Sequence, residues 1–213
     1  MGRRNGIETL LRYVEEVQFE EVRRDYENAI STRELPEFLP VRIKNLCENL
    51  RSVLDYIAQE MWDLYGDHQK KRPKKLYFPI RDSHVSYDQY MRPLFPSLEV
   101  KNPEVWEFLK RMQPVPGYSE KWLGDFNNLN NRNKHFDLVL HAYRSAPVGE
   151  VTPPKLGPIV HLDKKTQEWV EFRFTEPDVN ALMLIHSAVV NVRFIECEVL
   201  ASLPRVWGTQ PLF

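Results

Sequence analysis

The sequence has almost no excess charge, few cysteines and no long apolar run. Its 213 residues carry a formal net charge of −1, which gives no overall attraction to nucleic acid or to a membrane. The two cysteines, Cys47 and Cys197, lie in apolar helical patterns and form no CxxC pair, which favours free core thiols over a zinc site. No stretch approaches the ~20 apolar residues that span a bilayer, and the first residues lack the apolar stretch of a signal peptide. We therefore expect a cytoplasmic protein that needs no metal or cofactor and does not enter a membrane.

The spacing of apolar residues predicts a mainly α fold, a multi-helix bundle with a small β-hairpin insertion. Residues 7–31 repeat apolar positions at helical spacing, and a second series from Ile43 to Leu64 steps by threes and fours up to Gly66. Residues 156–174 alternate on either side of a turn-like DKKT, which indicates the hairpin. The single domain, residues 1–213, then divides into an extra N-terminal helix (1–35), helices with a proline-rich loop (36–145), the hairpin (150–175) and a last helix (176–203).

The stretch LNNRNKHFDL, residues 129–138, is unusually polar for a segment that is predicted to be helical. Asparagine is a mediocre helix former because its amide competes for nearby backbone groups. On a helical wheel, Asn133 falls on the apolar stripe between Phe126 and Leu140. A buried amide is costly unless it is hydrogen-bonded, so Asn133 should have specific partners there.

A second face of the same predicted helix carries candidate catalytic residues. Asn127, Asn131 and His135 lie four residues apart, so that two amides line up with an imidazole. His135 could transfer a proton near neutral pH, and Lys134 beside it could bind a phosphate. This ladder either binds a ligand or forms hydrogen bonds between neighbouring helices, and the residue types allow both.

Arg51 and Asp55 are four residues apart on the flank of the second helix. An ordinary ion pair between them would stabilise the helix by only ~0.3–0.5 kcal/mol. The functional alternative is that Arg51 reaches across the bundle to the face that carries Asn131 and His135.

A basic loop follows that helix and is a candidate nucleic-acid-binding segment. Five of six consecutive residues are cationic, and this local patch could contact phosphates. A solvated surface loop is the default interpretation because such basic runs are common, although Tyr77 and Phe78 follow it closely and could stack on bases. Its basic residues are Lys70, Lys71, Arg72, Lys74 and Lys75.

Three short segments, ENLRSVLDYIA, LYFPI and LNNRNKHFDL, together resemble the signature of a group of uncharacterised bacterial and phage-borne proteins. Members of that group carry "LRxALDhLA", "FPI" and "NxDKHR" in the same order. The resemblance covers roughly residues 40–200 and leaves the N-terminal helix outside it. The chain differs from the group by having Asn133 in place of Asp and Phe136 in place of Arg. The matched residues are Arg51, Asp55, Phe78 to Ile80, Asn131, Lys134 and His135.

The layout of this group is also similar to that of the HEPN superfamily, in which a polar Asn/His helix faces another helix. Many HEPN proteins are dimeric, metal-independent ribonucleases of toxin or antiphage systems. Their motif places an Arg and a polar residue four to six residues before a His, whereas here Arg132 precedes His135 by two intervening residues and His141 by eight. The similarity to HEPN proteins therefore concerns the arrangement of helices, and a shared fold alone does not imply a shared function.

Two functions follow as expectations. In the first, the protein is a HEPN-like ribonuclease in which His135 is the general acid/base, Arg51 or Lys134 stabilises the scissile phosphate, and Asn131 belongs to the same site. In the second, it is a non-catalytic dimeric helical module that binds a partner protein or nucleic acid. Asp55, Asn127 and Asn133 would then belong to a supporting polar network. RNA, a second copy of the chain and a partner protein are the expected partners.

Overall fold

The computed structural model describes residues 2–115, 121–131, 138–143, 161–163, 165–174 and 179–202, which form a helical bundle with a small antiparallel sheet. The mainly α fold that the sequence predicts is confirmed. The helices are α1 (Arg3–Tyr13), a π-helical turn (Val14–Gln18), α2 (Phe19–Thr32), α3 (Leu39–Tyr65), α4 (His84–Leu94), α5 (Leu98–Lys101), α6 (Pro103–Arg111), α7 (Lys121–Asn131) and α8 (Ala181–Ser202). The strands are β1 (Leu138–Tyr143), β2 (His161–Asp163), β3 (Glu168–Phe174) and β4 (Val179–Asn180). Within these ranges no helix has the length and apolarity needed to cross a membrane.

Helices α1 and α2 run on from one another through the π-helical turn, and their shared apolar face is buried. Ile7, Leu11 and Val14 are fully buried, and the next buried residue is Phe19, five positions later. The wider π turn adds one residue to that step and so returns the apolar face to the core. Val17, which helical spacing places on the apolar face, is 39% exposed for the same reason. This face packs within the chain, against α3 and α8.

Helix α3 is the central element, and its predicted seam of apolar residues is confirmed. Six of the seven residues in that series are buried, and Leu64 is partly buried. Gly66 follows the helix with φ −69°, so it is not needed for a left-handed conformation. It is needed for space, because an added Cβ would lie 2.6 Å from both the Trp62 ring and the Trp62 carbonyl oxygen.

We expect Gly66→Ala to destabilise the protein by about 1–3 kcal/mol, the usual cost of forcing extra atoms into a packed position. Gly6→Ala is the matched control, since a Cβ at Gly6 in α1 meets nothing within 4 Å. That change should stabilise the protein by up to ~1 kcal/mol because alanine is the better helix former. Urea unfolding of the two variants measures both values. A Gly66→Ala protein as stable as the parent would show that the Trp62 contact does not restrict this position.

The proline-rich region contains more helix than the sequence predicts. Residues 67–101 were expected to be mainly loop with a short helix over SYDQYM (residues 86–91); that helix is confirmed as part of the longer α4, and α5 was not predicted. The Ser83 hydroxyl caps α4 by accepting a hydrogen bond from the backbone N–H of Ser86 at 3.1 Å. Tyr87 and Met91 bury one side of α4, while Pro93 lies in its last turn, where a missing N–H costs less.

The sheet is antiparallel, with β3 at its centre and β1, β2 and β4 paired to it. The predicted hairpin is confirmed by β2 and β3, and Gln167 in its turn has φ 58°. The helical prediction is wrong for β1, because its residues Leu138 and Leu140 pair with Phe174 and Phe172 of β3. Leu140 therefore lies on a strand, and the helical wheel that joined it to Phe126 does not apply.

Candidate functional site

Residues from three separate segments line one open groove of about 620 Å³. Helix α3 supplies Arg51 and Asp55, the segment after the basic loop supplies Tyr77, and the end of α7 supplies Asn130 and Asn131. Glu48 and Ser52 complete the lining. The groove thus brings together described residues of ENLRSVLDYIA, LYFPI and LNNRNKHFDL, the three segments on which the family resemblance rests.

Arg51 connects the two walls of the groove. Its Nε atom lies 3.3 Å from Asp55 Oδ1, so the i,i+4 ion pair forms. Its Nη1 atom donates to Asn127 Oδ1 at 3.4 Å, which means that Arg51 also reaches across the bundle to α7. The guanidinium carbon is 5.8 Å from the centre of the Tyr77 ring. About a fifth of the Arg51 side chain is exposed, so it faces the groove while it is held in place (21%).

Asp55 fixes the FPI segment against α3. Its Oδ1 atom accepts a hydrogen bond from the backbone N–H of Phe78 at 2.8 Å. Burial raises the pKa of Asp55, and the Arg51 charge and the Phe78 N–H oppose that rise. Asp55 therefore positions Arg51 and the backbone of Phe78.

The basic loop leads into the groove. Arg72 lies 3.6 Å from Asp63, and Phe78 is bonded to Asp55, so the loop runs back along α3 for about 12 Å. Lys70 pairs with Asp67 at 3.0 Å but remains 73% exposed. The other lysines of the loop are exposed and have no ion pair with any residue that the structure describes: Lys71, Lys74 and Lys75.

A second arginine and a second tyrosine adjoin the groove, and the sequence analysis missed both. The Arg81 guanidinium lies over the Tyr90 ring, 3.9 Å from its centre. The Tyr90 hydroxyl donates to the Tyr77 carbonyl oxygen at 3.3 Å, which ties this pair to the groove. Burial raises the pKa of Tyr90, and the charges of Arg81 and Arg51 oppose that rise. The one sequence signal for this pair is that Arg81 directly follows the FPI segment.

Three of the predicted site residues, Asn133, Lys134 and His135, lie outside the described residues. The described part of α7 ends at Asn131, which is exposed at the groove. The two asparagines of the predicted ladder are therefore placed, with Asn127 bonded to Arg51, and the role of His135 stays a prediction.

The cysteines and His186 do not line the groove. Cys47 is buried, and burial raises the pKa of its thiol to about 12, which makes it a core thiol as expected. Cys197 is exposed, so the expectation that it lies in the core is wrong. The ring of His186 lies 5.6 Å from that of Phe19, and burial lowers its pKa.

In the described ranges, no three His, Cys, Asp or Glu side chains form a group that could hold a metal ion. Comparison of the chain with models of protein families, with curated proteins and with solved structures found no match. The groove at Arg51 combines a cation, an aromatic ring and amides, and it is the candidate functional site.

Proposed function

We propose that the protein is a HEPN-like ribonuclease, of the toxin or antiphage type, that binds RNA in the groove at Arg51. The observation that carries this proposal is the meeting of Arg51, Tyr77 and Asn131 in one open groove at the end of the basic loop. A guanidinium can bind a phosphate, an exposed tyrosine ring can stack on a base, and amides can bond to base edges. The Tyr77 ring is 48% exposed and is therefore accessible to a ligand.

RNA is the substrate class that suits these groups, since it supplies its own nucleophile. In such a cleavage the 2′-oxygen attacks the adjacent phosphorus, its proton goes to a base, and the 5′-oxygen leaves with a proton from an acid. His135 is the sequence candidate for this proton transfer, and Lys134 could contact the same phosphate. Arg51 would stabilise the charge that develops on the phosphate oxygens, a contribution typically of about 10²–10³ in rate.

A non-catalytic module that binds a partner protein or nucleic acid, as a dimer, is the second candidate. The observation that favours it is that Arg51 is already bonded to Asp55 and Asn127. Bonds of this kind are what a structural network between α3 and α7 would need. In that function the network holds α3 and α7 in place, the groove binds the partner, and no proton is transferred.

Incubation of total RNA and tRNA with the purified protein in EDTA separates the two functions. The ribonuclease proposal expects discrete RNA species to disappear with the parent protein and to persist with His135→Ala and with Arg51→Gln. Arg92→Gln is the matched control, because Arg92 is exposed and pairs with Glu99 instead of lining the groove. RNA that stays intact but is retarded in a gel shift would support the binding module. RNA that is neither cleaved nor bound would overturn the ribonuclease proposal.

A further inference from the structure

Arg81 is a partly buried arginine without an anionic partner in the part of the chain that the structure describes. Its one side-chain hydrogen bond goes from Nη1 to the Ile80 carbonyl oxygen at 3.5 Å. Its Nε and Nη2 groups donate to no described residue. Withdrawing a guanidinium from water is costly unless other charges or bonds replace the water. The Tyr90 ring offsets part of that cost through a cation–π contact, and the remaining donors are open to solvent, where a ligand can reach them.

Other arginines of the protein show the contrast. Arg193 binds Glu15 at 2.7 Å and Glu8 at 2.6 Å, and Arg92 lies 3.1 Å from Glu99. Their carboxylates satisfy the charge, and no ligand is needed. The planar fork of Arg81 has the geometry for bidentate binding of a phosphate and lacks such a carboxylate.

The backbone holds Arg81 firmly beside the groove. Its own N–H donates to Gln113 Oε1 at 2.8 Å, and Gln113 is fully buried with its Nε2 bonded to the Leu109 carbonyl oxygen. At the other end of the same short segment, Phe78 is fixed to Asp55. The segment from Tyr77 to Arg81 is therefore anchored to α3 and to the end of α6, and its side chains are positioned before any ligand arrives.

Arg51 of α3 and Tyr90 of α4 adjoin this segment, so that arginines and aromatic rings alternate. Arg51 lies by the Tyr77 ring, the Tyr90 hydroxyl bonds to the Tyr77 carbonyl, and Arg81 lies on the Tyr90 ring. These contacts connect the two guanidinium groups through Tyr77 and Tyr90. Cations beside aromatic rings form the combination that many proteins use for single-stranded nucleic acids, with phosphates at the cations and a base on an exposed ring.

We infer that Arg81 is a second phosphate-binding residue and that the groove takes an unpaired stretch of RNA. One phosphate binds at Arg51, another at Arg81, and a base between them stacks on Tyr77. A base within a duplex has no free face to offer, so a double-stranded RNA would lack the Tyr77 contact. This inference rests on the proposed binding of RNA and adds the strand form of the ligand and a residue that recognises it.

The test is the binding of a fluorescent single-stranded oligoribonucleotide, 2′-O-methylated so that cleavage cannot occur, followed by anisotropy over a range of salt concentrations. Arg81→Gln should weaken binding about tenfold and should reduce the slope of log K against log salt by about 0.7, the value for one lost phosphate contact on a single strand. Tyr77→Leu should weaken binding about fivefold or more while the slope stays unchanged, because stacking carries no charge. A duplex of the same sequence should bind no more tightly to the parent protein than the single strand binds to Tyr77→Leu.

Arg81→Lys and Arg92→Gln complete the design. Arg81→Lys should keep the salt slope but lose part of the affinity, because an ammonium neither stacks flat on Tyr90 nor binds bidentately. Arg92→Gln should bind as the parent does, since Arg92 is 59% exposed and already paired with Glu99. Unchanged affinity and slope in Arg81→Gln, beside a weakened Arg51→Gln, would overturn the inference and leave the proposed function standing. No binding by the parent protein would overturn both.

Discussion

Deletion of residues 2–31 should unfold the protein instead of leaving a folded monomer. The deleted segment contributes eight buried residues to the core: Ile7, Leu11, Val14, Phe19, Val22, Tyr26, Ala29 and Ile30. Full burial of a large apolar side chain stabilises a fold by roughly 1.5–3 kcal/mol. Together these residues match or exceed the ~5–15 kcal/mol by which a typical domain is stable. The deletion would also expose the faces of α3 and α8 on which the segment packs.

Circular dichroism and light scattering of the deletion variant measure this effect. We expect loss of the cooperative thermal transition and a tendency to aggregate, because the uncovered faces are apolar. The matched control is Glu8→Gln with Glu15→Gln in the full chain, which removes the ion pairs of Arg193 with the N-terminal segment and keeps the apolar contacts. Such partly exposed pairs contribute about 1 kcal/mol or less each, so the control should stay folded. A folded, monomeric deletion variant beside a dimeric parent would instead show that this helix serves a dimer.

Local patterns were sufficient to predict α3 and α6. The α3 seam repeats over many turns, and Asn102 followed by Pro103 signals a helix start that the structure confirms, with Asn102 accepting from the Val105 N–H at 3.3 Å. Both signals lie within a few residues of the element that they describe. The same periodicity places Arg51 on the flank of α3. From that position the sequence could suggest that its side chain contacts α7 across the bundle.

Strand β1 and the Arg81 pair could not be predicted because their partners are remote in sequence. LVLHAY is short and apolar, and such a run fits either a helix or a strand until β3 pairs with it some thirty residues later. Arg81 is a candidate binding residue because its guanidinium lies on the ring of Tyr90 in α4, and no local sequence pattern pairs these two residues. A contact between a residue outside any helix and a ring on α4 leaves no periodic signal in the sequence.

Tyr26 of α2 fills a break in the sheet, and this site carries the second large effect. On one edge of β3, residues 168–170 pair with β2 and residues 173–174 pair with β4, which leaves Glu171 and Phe172 between them. The Tyr26 hydroxyl accepts from the Phe172 N–H at 3.1 Å and donates to the Phe172 carbonyl oxygen at 3.4 Å. It also accepts from Asn180 Nδ2 at 3.2 Å, and that amide in turn binds the buried Glu171 carboxylate.

We expect Tyr26→Phe to destabilise the protein by about 2–4 kcal/mol. The change keeps the ring, which packs against Phe172 with the centres 5.9 Å apart, and removes only the hydroxyl. The Phe172 N–H and carbonyl then lose a partner in a place closed to water, and each unsatisfied buried group costs about 1–3 kcal/mol. Urea unfolding gives the total, and hydrogen exchange should show lost protection at the Phe172 amide in particular.

Tyr13→Phe is the matched control, because Tyr13 belongs to the same continuous helix and is 47% exposed. Loss of an exposed hydroxyl leaves water in its place, so this variant should stay within ~0.5 kcal/mol of the parent. Equal stability of the two variants, or unchanged exchange at Phe172, would mean that the break in β3 is satisfied without Tyr26. A large loss confined to Tyr26→Phe would show that the N-terminal helix stabilises the sheet through this one hydroxyl as well as through its apolar face.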